Sequence, residues 1–93
     1  MAEQAQSLGS VDFSTHVLSL ASTALIALGQ MPGPDEETHQ EVDLETARHL
    51  IDVLGMLELK TKGNLDESEH KLLQSLIYDL RVSYVDAEKA KHG

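Results

Sequence analysis

Three stretches of the chain repeat their apolar residues with a helical period, and polar, glycine- or proline-bearing segments separate them. In the first, Phe13, Val17, Leu20, Ala21, Ala24 and Leu28 fall on one face, Leu18 and Leu25 on a second, and Ile26 widens the apolar surface again. The polar stripe that remains (Thr15, Ser19, Ser22, Gly29) is narrow and made of small residues. A helix apolar around most of its circumference is a buried one. In the second stretch Leu44, Ala47, Leu50, Ile51, Leu54 and Leu57 form a seam at i, i+3, i+4, i+7 spacing, with Val53 and Met56 beside it. In the third, Leu72, Leu73, Leu76, Ile77, Leu80 and Tyr84 line one face. No strand-like alternation is sustained, so the chain is expected to be all-α.

The punctuation agrees with that period. Asp12 or Ser14 can cap the first helix, and Gly29 followed by Met31-Pro32-Gly33-Pro34 stops it. Asp43 caps the second, Glu45 sits where the helix dipole favours an anion, and Gly63 suits the left-handed residue beyond its end. Asn64-Leu65 is a connector so short that the second and third helices should form an antiparallel hairpin. Asp66 and Glu69 have the spacing of a capping box, with Asp in place of Ser or Thr. The expected organisation is a tail at residues 1–10, then one helical domain over 11–90. Its helices fall near 12–30, 43–62 and 66–90, with an acidic Pro/Gly loop at 31–42. At 1.5 Å per residue the third helix is about 37 Å long and the others about 27 Å. The excess, Val85–Lys91, should overhang, fray or pack on another subunit.

Composition sharpens this three-helix bundle-like picture. Ninety-three residues allow one small domain, near the size where a single core stabilises a fold only modestly. Three amphipathic helices can hide one seam each, and the first carries more apolar surface than two partners cover. Self-association is the common way to bury the surplus. The candidate oligomer interface is therefore Phe13, Val17, Leu18, Leu20, Ala21, Ala24, Leu25 and Leu28.

Charge acts by exclusion. The net charge is −9, and every Lys and Arg lies from Arg48 onward. Such a chain repels nucleic acid and anionic lipid, so neither is an expected partner, whereas a protein with a basic surface is. Phe13–Pro34 lacks charged residues but is interrupted by polar ones and has no flanking Lys or Arg, so it reads as a buried helix rather than a membrane span. The beginning of the sequence holds Glu3 and no Lys or Arg, unlike a secretory signal, and a cytoplasmic location is expected. With no cysteine there are no disulfides, thiol nucleophiles or Cys metal sites.

Catalytic chemistry finds little to stand on. His16, His39, His49, His70 and His92 are dispersed. His49 and Asp52, and Glu36 and His39, have i,i+3 spacing, but neither pair recurs on a second helix to close a metal shell. No cofactor or metal is expected. Arg48, Asp52, Asp79 and Arg81 lie among apolar positions and are candidate structural ion pairs at a helix contact, within the chain or across to another. The alternative is a small-ligand or enzymatic site between subunits near these four, with His49 and Tyr84 beside them. Gly55, inside the second helix, either admits a close neighbour or sits on a tolerant surface.

Several blocks resemble a known family. They are Asp12-Phe13-Ser14-Thr15, Val17 to Ser22, Leu28-Gly29, Ala47-Arg48-His49, Ile51-Asp52, Met56-Leu57, Lys60 to Leu65, Leu72-Leu73, Leu76, Tyr78 to Arg81, and Tyr84-Val85. Together they are similar to a small bacterial family known as domain of unknown function 1844, across roughly Val11 to Val85. The resemblance implies a small, cytoplasmic, helical bacterial protein. It brings no activity, cofactor or catalytic residue. His16 and the segment Gln30–Gln40 depart from the family's pattern. The function expected from all of this is a homo-oligomeric protein-interaction or scaffolding module.

Overall fold

A computed structural model describes residues 12–31 and 42–92. Among the described residues there are three helices and no strand: α1 (Phe13–Ala27), α2 (Leu44–Lys60) and α3 (Glu67–His92). Each packs on the other two, giving the all-α bundle with α2 and α3 as an antiparallel hairpin. The expected tail and most of the acidic loop lie outside the described residues.

The helix ends follow from side-chain chemistry. The Asp12 carboxylate accepts from the Thr15 amide at 2.8 Å, and the Asp43 carboxylate from the Thr46 amide at 3.0 Å. Each satisfies a first-turn donor that has no partner within its helix. At the head of α3 the pairing is reciprocal. The Glu69 amide donates to Asp66 Oδ1 at 2.8 Å and the Asp66 amide to Glu69 Oε1 at 3.0 Å. This capping box orients the third helix directly after the short turn. Gly29 closes α1 at φ +77°, with its amide on the Ile26 carbonyl and the Gln30 amide on the Leu25 carbonyl. That 5→2 and 6→1 pairing needs a left-handed residue, which glycine supplies without a Cβ clash.

The core is built from the predicted seams. Val17, Ala21, Ala24, Ala27 and Leu28 of α1 and its turn meet Ala47, Ile51 and Leu54 of α2 and Leu73, Ile77 and Leu80 of α3. Val17, Leu54, Leu73 and Leu80 are completely enclosed, and each contributes on the order of 2 kcal/mol of transfer free energy. The buried α1 face is rich in alanine, whose small side chains leave room for α2 and α3 to pack on it.

One corner ties the three helices together. The Asp43 amide donates to the Ala27 carbonyl at 2.7 Å, which sets the start of α2 against the end of α1. The Ser83 hydroxyl donates to Gln30 Oε1 at 3.3 Å, which brings α3 to the same turn. Ala87 packs against the core. The end of α3, expected to overhang, fray or pack on another subunit, is helical and touches its own bundle through Ala87, with Val85, Asp86 and residues 88–91 exposed.

Candidate functional site

Most of the expected interface residues on α1 are used inside one chain. Val17, Ala21, Ala24 and Leu28 are buried in the core, and Phe13, Leu20 and Leu25 are half-buried against it. Leu18 is the one of the eight that stands clear, at 46% exposure. The edge around it is uncharged: its exposed neighbours on α1 are Thr15, His16, Ser19 and Thr23.

Other large apolar side chains are exposed on α2 and α3. Leu59 of α2 is 74% exposed and Tyr78 of α3 is 68% exposed, with Val82 and Val85 each at 44%. Met56 and Met31 are exposed as well. Tyr78, Val82 and Val85 stand at i, i+4 and i+7, so they form one stripe on the outside of α3. The reading of the third helix by its core seam missed this stripe. The same count of spacings finds it, once the interruptions at Ser75 and Lys89 are set aside.

Arg48, Asp52, Asp79 and Arg81 are all exposed. Among the described residues the ion pair formed is Lys71–Glu67, at 3.3 Å along α3, and these four take part in none. Asp79 and Arg81 are two residues apart and so leave α3 on opposite flanks. Arg81 instead reaches across to α2, where a Cβ built on Gly55 would lie 3.8 Å from its guanidinium. Gly55 thus has a long cation laid over it, and the small-residue stripe of α1 is not its neighbour.

Among the described residues, two clefts can be outlined, and none of the four residues lines either. One, of about 580 Å³, lies at the tied corner between Leu28, Gln30, Val42, Asp86, Ala87, Ala90 and Lys91. The other, of about 280 Å³, lies at the α2–α3 turn, with Lys62, Gly63, His70 and Gln74 among its walls. Near the first, the carboxyl of Asp43 is held below its ordinary value of 3.8, chiefly by the Thr46 hydroxyl and amide, with a further pull from the Lys91 ammonium. The Thr46 hydroxyl lies 2.6 Å from Asp43 Oδ2.

Metal chemistry has no cluster to use: among the described residues no three His, Asp or Glu come together in a way that would hold an ion. His16, His49 and His70 are exposed, and His39 with Glu36 lies outside the described residues. No described helix is long and apolar enough to cross a membrane.

Fold and surface together define a small all-α protein with several large apolar side chains exposed on its described helices. The chain belongs to the family described as domain of unknown function 1844, whose model matches residues 10–86. No curated protein and no solved structure matches it.

Proposed function

We propose that this protein is a self-associating helical module that works by binding protein, as a scaffold in the bacterial cytoplasm, and not by catalysis. The observation that carries the reading is the exposure of large apolar side chains in a single copy, with Leu59 and Tyr78 each more than two-thirds exposed. Contiguous apolar surface on a soluble chain marks a place where something docks. The surface available to it is the outside of α3 at Tyr78, Val82 and Val85, with Leu59 of α2 and Leu18 of α1 exposed as single side chains. The net charge of −9 adds a preference for heterologous partners with basic surfaces.

Sedimentation equilibrium at micromolar concentration tests the proposal. A mass above the 10.2 kDa of one chain supports it. A species that stays at 10.2 kDa across the concentration series rejects it.

A further inference from the structure

We propose that the cleft at the α2–α3 turn is a binding site for a small zwitterion, a free α-amino acid with an aliphatic side chain. Glu58 takes its ammonium group, and Lys62 takes its carboxylate with help from His70 and Gln74. The inference concerns a small ligand and stands apart from the self-association proposed above.

The cleft collects both signs of charge from two helices. Glu58 belongs to the last turn of α2, and Lys62 follows just beyond the end of that helix. His70 and Gln74 come from α3, four residues apart and so on one face of it. Leu59 and Leu65 add apolar lining. The volume of about 280 Å³ equals roughly nine waters at about 30 Å³ each, which is the bulk of a ligand with about nine heavy atoms. Free leucine is of that size.

The two charges of the cleft are not spent on each other. Glu58–Lys62 and Glu67–Lys71 are both Glu–Lys pairs at i,i+4, in the order that a helix favours. Glu67 and Lys71 lie within the continuous α3 and meet at 3.3 Å. Glu58 and Lys62 form no ion pair among the described residues. The reason is local. The helix α2 ends at Lys60 and Thr61 caps it, so the chain has left the helical register before it reaches Lys62. Opposite charges close in sequence are thereby held open around the cleft. Glu58 is half-buried, so water serves its carboxylate incompletely and a cationic group beside it is favoured.

The other acids at this end of the bundle are already engaged. Asp66 and Glu69 accept from each other's amides, and Glu67 holds Lys71. The charged residues lining the cleft that have no such role are Glu58 and Lys62, while the His70 imidazole and the Gln74 amide can donate hydrogen bonds. A simple anion placed here meets the Glu58 carboxylate, and a simple cation meets the Lys62 ammonium. A molecule that carries both groups answers both, with its side chain left for Leu59 and Leu65.

Amide NMR of the isotope-labelled full chain, titrated with L-leucine, tests this. The comparison ligands are isocaproate, which lacks the ammonium, and isopentylamine, which lacks the carboxylate. The expected result is saturable shifts at residues 58–65 and 70–74, with each comparison ligand weaker by about tenfold or more, as the loss of a hydrogen bond to a charged group implies. In Glu58→Gln leucine should bind no better than isocaproate does, and in Lys62→Met no better than isopentylamine does. Circular dichroism of both variants checks that the fold is kept. Isocaproate binding the wild-type chain as tightly as leucine would overturn the zwitterion in favour of a plain anion site. Leucine producing no saturable shifts, or binding Glu58→Gln and Lys62→Met as it binds wild type, would overturn the site. The titration reads binding to the chain whatever its mass, so a monomeric protein would reject the proposed self-association and leave this inference standing.

Discussion

Replacing Gly55 by alanine should stabilise the protein, although Gly55 lies against a neighbouring helix. Glycine within a helix costs about 1 kcal/mol relative to alanine, because the unfolded chain loses more freedom when it is fixed. Whether alanine recovers that depends on the space available. Gly55 does not have a left-handed backbone, and a Cβ placed on it would meet Arg81 Nη2 at 3.8 Å, an ordinary contact distance. The group met is the far end of a flexible, exposed side chain, so no core atom has to move. Gly55→Ala is therefore expected to gain about 0.5–1 kcal/mol. For a domain of this size that corresponds to a rise in melting temperature of roughly 2–8 °C. Urea unfolding followed by circular dichroism, at a concentration low enough to favour single chains, measures it. The double-mutant cycle with Arg81→Ala should show coupling below about 0.5 kcal/mol, since the contact is peripheral. A loss of stability in Gly55→Ala would refute the reasoning, because it would mean that backbone, and not a mobile guanidinium, occupies the space over Gly55.

The other perturbations are more local. Gly29→Ala should cost about 1–2 kcal/mol, since φ is +77° and the new Cβ would crowd Val42 at 3.2 Å; Gly63→Ala, with φ +85° and open space, should cost less by the same urea unfolding. Leu54→Ala, at a fully enclosed position between α1 and α3, should cost about 2–5 kcal/mol, measured as a fall in the urea midpoint at unchanged slope. The carboxyl of Asp43 should titrate below 3.8 in the folded protein, read by carbon-detected NMR. Its native value is depressed, so its contribution to the α2 cap is complete above the ordinary carboxylate value and is lost as pH falls through the lower native one. A native midpoint at or above 3.8 would show that the Thr46 hydrogen bonds do not persist in solution.

How far the sequence carries can be seen residue by residue. The seams of α2 and α3 were legible because Ala47, Ile51, Leu54 and Leu73, Ile77, Leu80 recur with a strong period and no competing residue type among them. The head of α3 was legible too, since Asp66 and Glu69 satisfy each other's amides locally and need nothing from the rest of the fold. The first helix shows where such reading stops. Periodicity says which residues share a face, but not how much of that face a neighbour covers. Ala21, Ala24 and Ala27 let α2 and α3 come close enough to enclose Val17 and Leu28 within one chain, so most of the apolar surface expected to need a second chain is already covered. The position of Arg81 over Gly55 had no local signal, being a contact between residues 26 apart. The outer stripe of α3 had one, in the spacing of Tyr78, Val82 and Val85, but the leucine-rich inner seam of the same helix outweighed it.

The central claim is that apolar surface left open by one chain is closed by another. Sedimentation equilibrium of the wild-type protein, over a concentration series at physiological salt, tests this most directly. The account predicts a weight-average mass that rises with concentration toward twice the 10.2 kDa of the chain. A mass fixed at 10.2 kDa throughout would contradict it.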